Sequence, residues 1–302
     1  MLTELYRKHV SPELREKIYR LFLGDLLSFT RNPKGYWKCL GYAIRYTFIS
    51  PKTEKEKAEK ILGEIGLSPY PYEWVNEYIK RDYTVLFDSE KELRYVLHNE
   101  KKLYFTKKMD TIAIETAYRS LLIEQDEQSA HRYVGNYEEL SGKILLDVGA
   151  AEGIFSLDTI EYIDHAYLFE CEEEWLDALN ATFEPWKEKV TIVKKYVSDT
   201  NEGDFITLDS FFSNTLASFP KNLFIKMDIE GAELKALKGC INTLQRCENS
   251  YGSICIYHNR EDERDIESFF EDLSFKTLIT SGYLYIGNEM RRGVVRFEKQ
   301  KI

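Results

Sequence analysis

The sequence lacks the features that mark a membrane-spanning, secreted or disulfide-stabilised protein. No apolar run approaches the roughly twenty residues that a helix needs to span a bilayer, and the opening MLTELYRKHV contains no secretory hydrophobic stretch. The five cysteines are an odd number without a C-x-x-C pair, which favours neither a disulfide framework nor a structural zinc site. We therefore expect a cytoplasmic protein in a reducing compartment.

The sequence also lacks an excess of positive charge, since 41 Lys and Arg face 51 Asp and Glu. The 302 residues carry a formal net charge of −10, which argues against a nucleic-acid partner because such a protein needs a basic surface. The exception is residues 1–60, with 13 Lys or Arg against 7 Asp or Glu. From Ser11 onward, apolar residues recur there at helical spacing. This amphipathic helix is expected either to pack on its own domain or, through residues 11–30, to contact the inner face of a membrane.

The segment ILLDVGAAEGIFS at 144–156 has the pattern of a nucleotide-cofactor loop. Its apolar run suits a strand buried on both faces, and Asp147 is followed by Gly149 and Gly153 at the entry to a helical pattern. A dinucleotide fingerprint needs G-x-G-x-x-G, and its second and third glycines are absent here. The loop therefore argues against a nicotinamide or flavin dinucleotide.

The spacing D-x-G-x-x-x-G instead resembles motif I of class I S-adenosylmethionine-dependent methyltransferases. This resemblance implies that the cofactor is S-adenosyl-L-methionine (SAM) and that it contacts Asp147, Gly149, Ala150 and Gly153. The strand pattern AYLFE then ends in Glu170, seventeen residues after Gly153. A carboxylate there can accept both ribose hydroxyls. The alternative is that Glu170 merely opens the acidic run that follows.

A third buried strand, an acidic cluster and a helix are predicted for NLFIKMDIEGAELKALKG at 222–239. Glu230 and Glu233 lie near the start of the helix, where the helix dipole favours negative charge, so helix-start electrostatics explains them well. It explains Lys226 and Asp228 less well, because a buried strand should not carry charge at its end without a partner or a ligand.

The stretch IKMDIEGAELKALKG is similar to the signature of the FkbM family of methyltransferases. ITLDSF at 206–211 and CIYHNREDERDI at 255–266 are similar to two further segments of that family. The resemblance covers about residues 120–298 and departs from the family pattern at Cys171 and at Ala151–Glu152. It implies O-methylation of a hydroxyl, on a sugar of a polysaccharide or of a glycosylated product.

Asp228 and His258 are the first candidates for catalysis, because both lie at the carboxyl ends of adjacent predicted strands, where such sheets bind their ligands. A sugar hydroxyl benefits from a general base or from a metal that acidifies it. Asp228, Glu230 and His258 are also possible ligands of a divalent metal, which the spacing neither demands nor excludes. The alternative for His258 is a structural role, in which its imidazole donates a hydrogen bond to a backbone carbonyl.

Further site residues follow from the resemblance and from the polar segment EQDEQSAHRY. The predicted additional cofactor contacts are Cys171, Ser198 and Asp199. The predicted substrate contacts are Glu124, His131, Arg132, Glu230 and Arg291. An equal alternative to substrate binding by Arg291 is that it belongs to a solvated basic turn. The alternative for the polar segment EQDEQSAHRY is an ordinary polar helix end without a role in binding.

Strands and helices alternate from residue 144 onward, which predicts an α/β fold, here a mostly parallel seven-stranded sheet of the class I methyltransferase (Rossmann-like) type with helices on both faces. The predicted divisions are a helical N-terminal region at 1–62, an accessory α/β segment at 63–140 and a SAM-binding domain at 141–302. A β-hairpin is expected at 94–106. A final hairpin is expected to pair Tyr283–Ile286 with Val294–Phe297.

Two other functions remain open from the sequence. The first is transfer to nitrogen or to a lipid or peptide-derived metabolite, since nothing in the loops identifies the acceptor. The second is a non-catalytic module that binds the cofactor or a partner protein.

Overall fold

A computed structural model describes residues 32–215 and 219–300. By their internal contacts, these residues form two units. One comprises the described chain up to Glu77 together with Gly282–Arg291, and the other comprises Tyr78–Ser281 and the chain from Arg292 onward. The predicted division at 62 and 140 stays a prediction. The amphipathic helix predicted from Ser11, with its proposed membrane contact, lies outside the described residues.

The described chain begins with helices and then alternates strands with helices. The helices are α1 (Pro33–Phe48), α2 (Glu54–Ile65), α3 (Val75–Ile79), α4 (Thr111–Glu124), α5 (Ile154–Thr159), α6 (Glu173–Phe183), α7 (Leu208–Thr215), α8 (Glu233–Lys238), α9 (Ile241–Arg246) and α10 (Asp262–Asp272). The strands are β1 (Val85–Asp88), β2 (Leu93–His98), β3 (Lys101–Phe105), β4 (Ile144–Val148), β5 (His165–Phe169), β6 (Val190–Val193), β7 (Tyr196–Val197), β8 (Phe205–Ile206), β9 (Asn222–Met227), β10 (Asn249–Cys255), β11 (Phe275–Ile279), β12 (Leu284–Ile286), β13 (Glu289–Arg291) and β14 (Val294–Lys299).

The first unit is built on two helices with well-defined starts. The Asn32 side chain caps α1, and Thr53 and Glu56 form a reciprocal capping box at the start of α2. The two helices are joined by a 2.5 Å hydrogen bond from the Tyr46 hydroxyl to the buried Glu59 carboxylate. Residues 49–53 therefore connect two helices that pack on each other.

The second unit contains a seven-stranded sheet in the order β11-β14-β10-β9-β4-β5-β6. Neighbouring strands from β10 to β6 are parallel, whereas β14 is antiparallel to both β10 and β11. The predicted α/β fold with a mostly parallel seven-stranded sheet is thus confirmed. Its central strands are buried on both faces, so that on β4 Leu145 joins the hydrophobic cluster on one face and Leu146 the cluster on the other.

A separate three-stranded antiparallel sheet, β1-β2-β3, precedes the large sheet. The predicted hairpin corresponds to β2 and β3, whose two-residue turn places Asn99 and Glu100 at positive φ. The backbone N–H of Tyr104 on β3 donates to the Thr182 hydroxyl on α6 at 3.0 Å. The small sheet therefore packs against α6, the helix between β5 and β6 of the large sheet.

The predicted final hairpin is wrong. Gly287 and Asn288, both at positive φ, form a two-residue turn that places Ile286 opposite Glu289, so β12 pairs with the short strand β13. The apolar run Val294–Phe297 belongs to β14, which pairs with β10 and β11 instead. A two-residue turn pairs the strand before it with the residues directly after it, which here are Glu289–Arg291. The sequence pattern did not mark these three residues as a strand.

None of the helices in residues 32–215 and 219–300 combines the length and the apolar character that a membrane span requires.

The sheet core can be tested with two leucines on strands of the same sheet. Leu145 on β4 is fully buried, whereas Leu278 on β11 is 65% exposed. We expect Leu145→Ala to lower the free energy of unfolding by about 2 to 5 kcal/mol, because it leaves a cavity. Leu278→Ala should stay within about 0.5 kcal/mol of wild type. Urea unfolding of both variants measures this difference, and equal losses would contradict the placement of β4 at the centre.

Candidate active site

The loop after β4 turns sharply against the end of β9. Gly149 has φ +80°, and a Cβ there would lie 2.0 Å from the carbonyl oxygen of Asp228. The backbone N–H groups of Gly149 and Ala150 both donate to the carbonyl of Phe169, at 3.0 and 3.2 Å. The loop is therefore held between β5 and β9, and only glycine fits at its first turn.

A buried ion pair underlies this loop. Asp147 on β4 lies opposite Lys226 on β9, and the Lys226 ammonium is 2.9 Å from the Asp147 carboxylate. The Ser156 hydroxyl donates to the same carboxylate at 2.6 Å, and Lys226 also donates to the carbonyl of Gly149. Burial alone would lower the pKa of Lys226, but Asp147 and then Asp228 raise it, so the ammonium stays charged.

Glu170 lies at one end of a cleft on the β5 side of the loop. Its carboxylate accepts the backbone N–H of Ala151 at 2.9 Å and that of Glu172 at 2.8 Å. The predicted cofactor residues Gly149, Cys171 and Ser198 also line this cleft. Tyr196, Phe205 and Ile229 add apolar surface to it, and they were not predicted. We refer to it as the first cleft.

A second cleft lies on the other side of Gly149 and is lined by acidic groups. Its walls include Glu124, Glu152 and Asp228, together with Asp147 and Lys226 of the ion pair. Burial raises the pKa of Glu152 to about 7. This second cleft therefore concentrates carboxyl groups next to the glycine loop.

Asp228 is the centre of a hydrogen-bonded cluster at the end of β9. Two phenols donate to its carboxylate, Tyr133 at 2.9 Å and Tyr257 at 3.2 Å. Two imidazoles flank it, with Nε2 of His131 at 3.5 Å and Nε2 of His258 at 3.4 Å. Burial would raise the pKa of Asp228, but both histidines and Lys226 lower it well below its usual range, so the group is a carboxylate.

The two histidines each face a second carboxylate. Nδ1 of His131 is 4.0 Å from Glu124, and Nδ1 of His258 is 3.0 Å from Glu233. Burial alone would lower the pKa of either imidazole, but the facing acids reverse this, so that the net shift is upward in both. The predicted pair Asp228 and His258 is thus brought together, with His131 and Glu124 on its other side.

Three predicted site residues have other contacts. The Arg132 guanidinium donates to backbone carbonyls, those of Val134 at 2.7 Å, Gln125 and Gly135. Arg291 lies on β13 of the first unit, 3.6 Å from Glu289. Asp199 accepts from the hydroxyl of Ser198 at 3.3 Å. Their roles in binding stay predictions.

The two phenols on Asp228, those of Tyr133 and Tyr257, were not predicted from the sequence, and neither was Glu152. Tyr133 and Tyr257 each lie in a run with a predicted site histidine, HRY and YH. That adjacency was a usable signal, because a buried phenol needs a hydrogen-bond partner.

Possible metal ligands also meet at this cluster. Asp228, Glu233 and His258 each have a ligand atom within 4.8 Å of the others, as do His131, Asp228 and Cys255. We assign no metal to them, and metal dependence stays open.

A comparison with protein families shows the family to which the chain belongs. A model described as the methyltransferase FkbM domain matches residues 94–277, more than half of the chain. The chain belongs to the FkbM methyltransferase family. It is therefore a SAM-dependent methyltransferase, as the resemblance predicted, and its cofactor is SAM. The match begins at residue 94, within β2, whereas the resemblance seen in the sequence begins at about residue 120.

Solved structures of methyltransferases are similar to this chain at low identity. A putative methyltransferase from Streptococcus mutans in complex with SAH has 14% identity and a TM-score of 0.40, covering 54% of this chain and 93% of its own. Magnesium protoporphyrin IX methyltransferase from Synechocystis, with bound SAM, has 9% identity and a TM-score of 0.42, covering 64% and 86%. A putative RNA methyltransferase from Pyrococcus horikoshii has 17% identity and a TM-score of 0.36, covering 62% and 85%. No curated protein matches the chain.

Gly149 offers a test of the close approach between the loop and β9. Gly149→Ala should weaken SAM binding by about tenfold or more, because the new methyl group forces the loop away from Asp228. Gly203→Ala is the matched control, since Gly203 also has positive φ (+59°) but nothing within 4 Å of a Cβ. The control should cost about 1 to 2 kcal/mol of backbone strain without changing affinity. Calorimetric titration with SAM measures both, and unchanged affinity in folded Gly149→Ala would contradict the role of the loop.

Glu152 should make stability depend on pH. Its pKa is raised from 4.5 to about 7 in the fold, so the unfolded chain ionises first and wild type loses stability as the pH rises through this window. Relative to Glu152→Gln, wild type should lose on the order of 3 kcal/mol. Urea unfolding of both proteins at about pH 5 and about pH 8 measures most of this change. A pH-independent difference would show that Glu152 is not buried in its protonated form.

Proposed function

We propose that this methyltransferase transfers a methyl group to a hydroxyl oxygen, on a sugar of a polysaccharide or of a glycosylated product. The observation that carries the proposal is the placement of His258 at 3.4 Å from Asp228, at the ends of the adjacent parallel strands β9 and β10. An imidazole beside an ionised carboxylate can remove a proton, and a weakly acidic sugar hydroxyl benefits from such a base.

The residues around the glycine loop fit SAM. In the first cleft, Glu170 is the acceptor proposed for the ribose hydroxyls, and Cys171, Ser198 and Asp199 are proposed to bind the adenosine. The backbone of Gly149, Ala150 and Gly153 is proposed to pass close to the cofactor, supported by Asp147. SAM carries a cationic sulfonium and an ammonium group, and the net negative charge of the lining of the second cleft suits these groups.

SAM supplies an electrophilic methyl group, so the remaining tasks of the protein are to hold the acceptor in line, to exclude water and to take a proton. Asp228 and His258 are the residues proposed for proton removal. Glu124, His131 and Glu230 are proposed to bind the acceptor. Their oxygen and nitrogen atoms can accept hydrogen bonds from several hydroxyls of a sugar.

The charge of the second cleft also bears on the acceptor. Lys226 is the basic side chain among its lining residues, and its ammonium is held by Asp147. The other charged groups of that lining are carboxylates. A neutral, hydroxyl-rich acceptor fits such a surface better than an anionic one, because like charges repel at short range.

The catalytic assignment predicts a separation of binding from turnover. Asp228→Asn keeps the shape of the side chain, and we expect SAM affinity to stay within about threefold while kcat falls by about a hundredfold or more. Asp158→Asn is the control, because Asp158 also pairs with a histidine, His98, at 2.7 Å but lines neither cleft. It should change stability rather than kcat. Lost SAM binding or lost folding in Asp228→Asn would instead support a structural role.

The acceptor itself is determined by product analysis. The purified enzyme is incubated with methyl-labelled SAM and panels of sugars, amines, lipid alcohols and peptides. An O-methyl carbon in a sugar product, identified by NMR, would support the proposal. An N-methyl product, or transfer only to a lipid or peptide-derived metabolite, would replace it by the other transfer reaction.

A further inference from the structure

Glu233 is a fully buried acidic residue that the proposed reaction has not used. Its side chain, at the start of α8, has 0% exposure. Oε1 accepts the backbone N–H of Ile229 at 2.9 Å and lies 3.0 Å from Nδ1 of His258. One backbone hydrogen bond does not compensate an ionised carboxylate for its lost hydration, so the contact with the imidazole is the main electrostatic support of Glu233.

The other nitrogen of His258 faces a different environment. Nε2 is 3.4 Å from the Asp228 carboxylate, which lines the second cleft, and 3.5 Å from Oε2 of Glu230. Glu230 has a side chain that is 93% exposed. This single nitrogen therefore lies between the partly buried carboxylate of Asp228 at the cleft and the exposed carboxylate of Glu230.

The loops that carry these groups are tied to each other. The Asn259 side chain donates to the carbonyl of Gly231 at 3.2 Å and to Asp262 at 3.2 Å. Asp262 also accepts the backbone N–H of Asn259 at 2.7 Å. The ring of Tyr257 lies 4.1 Å from that of His258, centroid to centroid. The orientation of the imidazole is thus fixed from the loop side as well as by Glu233.

We propose that Glu233 is the positioning residue of His258, holding the proton on Nδ1 so that Nε2 is the atom that removes the proton from the acceptor. The proposal rests on the proposed O-methylation. It goes beyond it by assigning the tautomer, the orienting group and the route by which the proton leaves. A carboxylate that binds one imidazole nitrogen and leaves the other as the base is a recurring arrangement in enzymes.

The proton balance is simple. As the acceptor oxygen forms its bond to the methyl carbon, the carbon–sulfur bond breaks and its electrons stay on sulfur. The O–H bond of the acceptor breaks, and its proton goes to Nε2 of His258. The imidazolium then lies between the carboxylates of Glu233, Asp228 and Glu230, and the exposed Glu230 passes the proton to water.

The first test reads the imidazole directly and needs no acceptor. In protein with nitrogen-15 histidine, the His258 signals are assigned by their loss in His258→Gln. The neutral ring should carry its proton on Nδ1, and Glu233→Gln should lower the pKa of His258 by about one to three units, the range that one nearby carboxylate produces. A proton on Nε2 in wild type, or an unchanged pKa in the variant, would overturn the proposal.

The second test reads the reaction. His258 must be neutral to accept a proton, so activity falls at low pH, and Glu233→Gln should move this acid limb of the kcat profile to lower pH by the same amount. The plateau of kcat should fall by about tenfold or more, while the KM for SAM is unchanged. Asp158→Asn, which removes the carboxylate facing the buried His98, is the matched control and should leave the acid limb in place.

The two tests distinguish the two proposals. If the imidazole behaves as expected but the product carries no O-methyl group, the positioning role stands and the proposed acceptor fails. If Glu233→Gln only lowers stability and leaves the acid limb unmoved, Glu233 is structural and the positioning role fails. The same conclusion follows if EDTA abolishes activity and a divalent ion restores it, with loss of the His258 titration, because the nitrogen would then bind the ion.

Discussion

The buried pair of Asp147 and Lys226 is the interaction on which the rest of the site depends. The two residues face each other across β4 and β9, 2.9 Å apart, and Lys226 also binds the carbonyl of Gly149. Removal of one partner from such a pair costs about 3 to 5 kcal/mol, because a buried charge is left without compensation. This contact joins the cofactor loop to the strand that carries Asp228, and the positive charge of Lys226 helps to keep Asp228 ionised.

Much of the large sheet could be predicted because its strands are continuous apolar runs that end in charged residues. A parallel sheet places the carboxyl ends of such strands at one edge, so Glu170, Asp228 and His258 were expected there from their positions alone. The seven strands and their mostly parallel arrangement agree with the fold that was predicted. Local sequence patterns were sufficient here, because the apolar run of each strand indicates by itself that the strand is buried.

The partners within the site could not be predicted in this way, because they are distant in sequence. Tyr133 and Asp228 are 95 positions apart, and the adjacency of Tyr133 to His131 does not show which group its hydroxyl binds. Glu233 was explained by the charge preference of a helix start, whereas the fold places it against His258 from the next strand. The short β13 was missed for a different reason: three residues give too little alternation to mark a strand.

The contact between Gly149 and the carbonyl of Asp228 has a consequence for how this enzyme can diversify. No Cβ fits between the cofactor loop and the end of β9, so the two segments are in direct contact. Neither segment can shift to suit a new acceptor without displacing the other. Adaptation to another acceptor must therefore come from the periphery.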